Sequence, residues 1–162
     1  MVFNQARFGQ LSPRKEVPNL IPDNPNLRPA DIFIHSFVGG NDTALDVTVV
    51  SPMSVNLLDK EAREPGASLE FRYKEKVQKY HQLLHGQNIK FSPLVITTLG
   101  GWHTASVDIL YRLSEAVAKQ GGGQDVGDVQ RQFMGRLAVT VQSGNASLLL
   151  SRQPIHIPEW AA

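Results

Sequence analysis

Two aspartates in strand-like runs and a lysine in a helix-like run are the residues of this chain best suited to chemistry. Asp31 and Asp46 each lie among β-branched or aromatic residues, and Lys76 follows in a segment with helical periodicity. Two carboxylates that converge from neighbouring strands can hold a divalent metal ion. A lysine beside them can orient a water molecule or stabilise charge on a phosphate. These residue types are typical of a metal-dependent nuclease.

Length and composition limit the class of protein. The chain has 162 residues, 41% hydrophobic and 19% charged, which is typical of one soluble globular domain. The lack of cysteine excludes disulfides, thiolate metal sites and cysteine nucleophiles. A formal net charge of only +1 requires any nucleic-acid-binding surface to be local. No run approaches the ~18–20 apolar residues of a membrane span, and we see no signal peptide. We therefore expect a protein that is not secreted and binds no membrane, while the sequence leaves a nuclear and a cytoplasmic location both open.

The elements that carry the two aspartates are predicted from local signals. Residues 1–30 are predicted to form an extended, proline-rich lead-in, with a short helix possible over 1–10, because proline restricts its own backbone and that of the preceding residue. Residues 31–37 and 44–50 flank a turn rich in glycine and asparagine, which predicts an antiparallel hairpin.

The rest of the chain is predicted to be mainly helical. Residues 53–67 are expected to form a loop, and a helix is expected from Ser68, as N-cap, to His85. Residues 89–98 form a nearly continuous apolar run, which predicts a buried strand. Apolar spacing predicts two further helices, over 104–119 and 125–142.

Side-chain direction suggests which charged groups meet. Alternation along the second hairpin strand places Asp46 and Thr48 on one face. Leu45, Val47 and Val49 share the opposite face. On a helical wheel Lys76 falls within the apolar stripe, where an ammonium group needs a partner, and Asp46 is the obvious one. The alternatives are that Lys76 reaches solvent along its stem or makes a purely structural ion pair.

Several short motifs, taken in order, resemble a known family. They are Arg-Pro-Ala-Asp at 28–31, Leu-Asp-Val-Thr-Val at 45–49, Lys-x-x-Lys-Tyr at 76–80, Gly-Gly-Trp at 100–102 and Gly-Asn-Ala at 144–146. In this order they resemble the restriction-like endonuclease domain of non-LTR retrotransposons, a branch of the PD-(D/E)XK nuclease superfamily. Residues 13–152 are similar to C-terminal segments of reverse-transcriptase-bearing retroelement proteins of animals.

The resemblance implies an α/β fold for residues 31–152, followed by a C-terminal tail at 153–162. The fold would be a restriction-endonuclease-like core, in which a mixed β-sheet made of the hairpin and a third strand is flanked by helices, with further helices at the C-terminus. The implied function is hydrolysis of DNA phosphodiester bonds by strand nicking, with DNA as partner and a reverse-transcriptase module in the parent element. The alternative is a catalytically inactive relic that binds nucleic acid or protein.

The resemblance also implies residue roles. Asp31 and Asp46 would hold Mg²⁺ or Mn²⁺. Thr48 stands where the superfamily often has its lysine, and its backbone carbonyl would be a further ligand. In the retrotransposon branch this lysine lies on the following helix instead. Lys76 would supply its amine there, and Lys79 is the reserve candidate.

Other candidates complete the predicted site. Glu16 is the upstream acid that would complete the metal site. Candidate nucleic-acid-binding residues are Arg28, Lys74, Lys79 and Lys90, and in the alternative, non-catalytic module these cations and Arg131 would hold the phosphates.

Two weaker signals stay open. His81 and His85 have the i, i+4 spacing of zinc-binding histidines, but the sequence offers no third ligand nearby. Trp102 follows two glycines and is interpreted either as a base-stacking residue or as a core aromatic.

Overall fold

Residues 1–152, which a computed structural model describes, form a mixed four-stranded sheet flanked by helices. In chain order the elements are α1 (Val2–Phe8), β1 (Arg14–Lys15), β2 (Ile32–Val38), β3 (Asn41–Val50), α2 (Leu58–Arg63), α3 (Ala67–His85), β4 (Ile89–Thr97), α4 (Thr104–Gln120) and α5 (Val126–Arg152). The predicted tail at 153–162 lies outside the described residues.

The sheet order is β1-β2-β3-β4, with two antiparallel pairs followed by one parallel pair. The predicted hairpin is confirmed as β2 and β3, and Ile32 faces Leu45 across it. Gly39 and Gly40 form its turn at φ +63° and +77°, a conformation that glycine adopts without strain. A parallel neighbour requires a crossover connection, and α3 supplies it between β3 and β4.

Each face of the sheet has its own helices. Ile32, Leu45 and Leu94 pack on the side of α1, α4 and α5. On the other face, Phe33, Ala44 and Phe91 pack against the α3 residues Tyr80 and Leu84. The α/β class predicted from the sequence is therefore confirmed, with helices covering both sides of a mixed sheet.

Residues 1–30 are integrated into this fold. Val2 and Ala6 of α1 are buried in the core with α4, and Arg14 of β1 pairs with Phe33. Between β1 and β2 the chain is irregular, but Leu20 and Ile21 are buried against the α3 side of the sheet. The prolines therefore prevent regular structure only locally, and burial of apolar residues ties the segment to the domain.

The prediction of a simple loop over 53–67 with Ser68 as N-cap is wrong. This region contains α2, and α3 begins at Ala67. The Glu61 carboxylate accepts hydrogen bonds from the backbone N–H groups of Gly66 and Ser68, each at 2.7 Å. A carboxylate on a neighbouring helix thus satisfies free donors and complements the positive end of the α3 dipole.

The C-terminal helices follow the predicted periodicity. The helix predicted over 104–119 is confirmed as α4. The helix predicted over 125–142 continues to Arg152 as α5. Within residues 1–152, no helix has both the length and the apolar character needed to cross a bilayer.

Candidate active site

Lys76 on α3 reaches Asp46 on β3, as its place in the apolar stripe predicted. The Nζ atom lies 3.1 Å from Oδ1 and 3.0 Å from Oδ2 of the carboxylate. The two side chains are 24% and 13% exposed, so both charges have lost much of their hydration. The ion pair compensates for that loss. The alternative in which Lys76 extends freely into solvent is therefore excluded.

Thr48 holds the same carboxylate from a second direction. Its hydroxyl Oγ1 donates to Asp46 Oδ2 at 2.7 Å. Residues two apart in a strand share a face, so this contact follows from the predicted alternation. Two donors on different elements therefore fix the orientation of the Asp46 carboxylate.

Asp31 lies beside this pair at the start of β2. Since Ile32 faces Leu45, the next step of the register sets Asp31 opposite Asp46. Its Oδ2 atom accepts a hydrogen bond from the backbone N–H of Val47 at 2.8 Å. Within residues 1–152 its Oδ1 atom makes no side-chain hydrogen bond, and the residue is exposed. One carboxylate oxygen therefore remains free at the edge of the site.

Glu16 is adjacent to Asp31 through the backbone. Its backbone N–H donates to the Asp31 carbonyl oxygen at 3.0 Å. By the register of the sheet, Glu16, Asp31 and Asp46 therefore lie side by side on three neighbouring segments. The Glu16 carboxylate, however, pairs with Arg28 at 3.0 Å, with both side chains largely exposed. Considering the described residues alone, no three carboxylate or imidazole side chains converge into a metal-binding group. Glu16 would have to leave a surface ion pair to join one, and such pairs contribute only ~0–1 kcal/mol.

A second lysine lies beside the first. Lys79 Nζ is 4.9 Å and Lys76 Nζ is 5.9 Å from the centre of the Tyr80 ring. The pKa of Lys79 is raised, chiefly by contact with the Tyr80 hydroxyl and to a smaller extent by Glu75 and Asp46. Lys79 therefore lies in the field of Asp46 without forming the direct ion pair that Lys76 makes.

Most of the cations predicted to bind phosphates already have acidic partners. Lys74 pairs with Glu70 at 3.0 Å, and Arg131 pairs with Asp128 on the same helix. Arg28 pairs with Glu16, as described above. Lys90 lines a small cavity beside the end of α3. Exposed pairs of this kind exchange readily for phosphate contacts, so they remain compatible with nucleic-acid binding.

Sequence reasoning missed a cluster that joins α3 to α4. His103 Nε2 lies 2.9 Å from Glu70 Oε2, and its Nδ1 accepts from the Ala105 backbone N–H at 3.2 Å. Because Nδ1 accepts, Nε2 carries the proton and donates to Glu70. Contacts with His103 and Lys74 lower the pKa of Glu70. The position of His103 immediately before α4 was the available signal, since N-cap residues accept backbone hydrogen bonds.

Tyr73 extends this cluster toward the sheet. Its ring stacks on that of His103, with centroids 3.9 Å apart and planes within 7°. Burial raises the pKa of Tyr73, and the nearby Glu70 charge raises it further. Tyr73 also packs against buried Val50 and Val95. The cluster therefore fixes the first turns of α3, the helix that carries Lys76.

A groove opens on the other side of Asp31. Of the three residues predicted to share one face of β3, Leu45 is buried, whereas Val47 and Val49 are 38% and 51% exposed. These valines line a groove of about 470 Å³ together with Trp102 and Asp31. Trp102 is half-buried against the core, as expected of a core aromatic, while one side of it borders the groove.

Comparison of the chain with protein-family models, with curated proteins and with solved structures finds no match.

Proposed function

We propose that this protein is a metal-dependent DNA endonuclease domain of retroelement origin, which nicks one strand by hydrolysing a phosphodiester bond. The observation that carries the proposal is the contact of Lys76 with both oxygens of Asp46, while Asp31 occupies the next position across the hairpin. An antiparallel hairpin, a crossover helix and a parallel strand are the arrangement that a restriction-endonuclease-like core requires, and their presence supports this finer fold assignment.

The donor atoms suit Mg²⁺ or Mn²⁺. Asp31 has a free carboxylate oxygen, Asp46 has a fixed carboxylate, and the Thr48 backbone carbonyl follows two residues later in the same strand. Oxygen ligands of this kind are those preferred by small hard dications. Such an ion, when bound, neutralises phosphate charge and makes a coordinated water more acidic. Glu16 is the candidate additional ligand, once released from Arg28.

Lys76 has the geometry of a group that holds the reacting phosphate or its attacking water. Its ammonium has three N–H donors, of which one donates to Asp46 Oδ1, while Oδ2 lies at ion-pair distance. In the reaction a water oxygen bonds to phosphorus, a deoxyribose oxygen leaves, and the proton released by the water is transferred to the leaving oxygen. An N–H that does not donate to Asp46 would stabilise negative charge on a phosphate oxygen during this step. Lys79 supplies further positive charge nearby.

Plasmid nicking tests the proposal. Supercoiled DNA is incubated with the purified chain and Mg²⁺, and nicked product is measured for the parent, Asp46→Asn and Lys76→Met. We expect both substitutions to reduce nicking at least ~100-fold, the scale of losing one charge-stabilising group. Asp42→Asn is the matched control, because Asp42 lies on the same strand but contacts His35 and the Ser36 backbone. Nicking by Asp46→Asn at the parental rate would refute the mechanism.

A non-catalytic module that binds nucleic acid or protein is the second candidate. It is favoured by the mutual charge compensation of Lys76 and Asp46, and by the lack of a three-ligand metal group among residues 1–152. Calorimetric titration with Mg²⁺ or Mn²⁺ separates the two functions. The endonuclease requires a site that disappears in Asp31→Asn, whereas the binding module requires none. A reverse-transcriptase module in the parent element is a proposed partner under either function.

A further inference from the structure

Two histidines one turn apart occupy the C-terminal end of α3. The ring centroids of His81 and His85 are 5.6 Å apart, and the ring planes differ by 21°. Both side chains are exposed and line a cavity of about 260 Å³, together with Asn41, Asn88 and Lys90. The i, i+4 spacing on one helix face is the arrangement in which two imidazoles can bind one ion.

These imidazoles differ from the other histidines that the structure describes. His35 contacts Arg14 and Asp42, and His103 contacts Glu70 and the start of α4. Within residues 1–152, the imidazole rings of His81 and His85 make no hydrogen bond or ion pair, and they stack on each other. Their ring nitrogens are therefore free to act as ligands.

Asn41, at the start of β3, lines the same cavity and is a candidate for the third ligand that the sequence did not offer nearby. Its side-chain Nδ2 donates to the carbonyl oxygens of Val38 and Gly39, at 3.3 and 3.4 Å. Because the amide nitrogen is used in this way, the amide oxygen is the atom left to accept. The residue that lines the cavity beside the two histidines thus carries an amide oxygen that is available to accept.

We propose that His81, His85 and Asn41 form a site for a borderline transition-metal dication of the Zn²⁺, Ni²⁺ and Cu²⁺ class, with water completing the coordination. Two imidazole nitrogens favour these ions over Mg²⁺ and Ca²⁺, which require several oxygen ligands. Lys90 lines the same cavity, so its charge weakens the binding of a dication. The ion joins the end of α3 to the β2–β3 turn and thereby restrains the helix that carries Lys76. The site does not depend on the proposed nuclease function.

Calorimetric titration of the full chain, without a purification tag, with Zn²⁺ chloride tests the site. We expect one ion per chain that requires both histidines, with a loss of its affinity of ~10- to 100-fold in His81→Gln and in His85→Gln. Asn41→Ala should weaken binding, and Lys90→Met should strengthen it. His35→Gln is the matched control because it removes an exposed histidine elsewhere, and it should bind Zn²⁺ as the parent does. Asp46→Asn removes a proposed ligand of the candidate active site, and the ion that requires the two histidines should remain in it.

The proposal is overturned if the parent binds no Zn²⁺ more tightly than about 1 mM, or if either histidine variant keeps parental affinity. Unchanged binding in Asn41→Ala or Lys90→Met overturns the placement of the ion in the cavity. Loss of the Zn²⁺ signal in Asp46→Asn, with His85→Gln unaffected, would assign the ion to the other site. Circular dichroism of each variant before titration establishes that an altered affinity reflects lost ligands and not an unfolded chain.

Discussion

The ion pair of Lys76 and Asp46 should contribute to folding stability whatever reaction the protein performs. Fully exposed pairs contribute ~0–1 kcal/mol, whereas removing one partner from a fully buried pair costs ~3–5 kcal/mol. Here the lysine side chain is 24% exposed and the aspartate 13%, which places the pair between these limits. We therefore expect Asp46→Asn or Lys76→Met to lower the free energy of unfolding by ~2 kcal/mol. For a chain of this length that is a fall in Tm of ~4–8 °C.

A double-mutant cycle measures the pair directly. Urea unfolding of the parent, both single variants and the double variant should give a coupling energy of ~1–2 kcal/mol, since the double variant leaves no unpaired charge. The exposed pair of Asp128 and Arg131 on α5 is the control, with an expected coupling of ~0.2–0.5 kcal/mol. If the Lys76 and Asp46 coupling is no larger than that of the control, then burial does not strengthen the contact and the reasoning fails.

Two further predictions concern the elements that hold the site. Glu61→Ala should destabilise the protein by ~1 kcal/mol in thermal unfolding because α3 loses its N-terminal cap, whereas Asp59→Ala on the same helix should have little effect. Although burial opposes it, hydrogen bonding by Gly66 and Ser68 lowers the pKa of Glu61. The stability that Glu61 provides is therefore complete above about pH 4.3 and lost as the pH falls through its folded-state value, so parent and variant should converge in acid. In the sheet, Leu45→Ala should cost ~2–5 kcal/mol, and Val49→Ala on the same strand face should change stability by less than ~0.5 kcal/mol. If urea unfolding shows equal losses of unfolding free energy for the two variants, the exposure of Val49 in the groove is contradicted.

Local patterns were sufficient to predict the central elements of the fold. The hairpin is encoded by two β-branched runs around a glycine turn, and α3, α4 and β4 by apolar periodicity and glycine breaks. These signals concern neighbours along the chain, so they survive without knowledge of the tertiary structure. The same periodicity located Lys76 in the apolar stripe. The cost of an unpaired buried ammonium then predicted its contact with Asp46.

Tertiary packing decided what periodicity could not. Alternation places Leu45 and Val49 on one face, but only the positions of α1 and α5 determine that the first is buried and the second open. Three contacts join residues that no local pattern connects. They are the cap that Glu61 provides, the hydrogen bond of His103 with Glu70 and the ion pair of Glu16 with Arg28. Such contacts depend on which elements approach one another in space. The sequence therefore determined the elements and the types of charged group, whereas the tertiary structure determined which carboxylates are paired, which are free, and where the sheet remains uncovered.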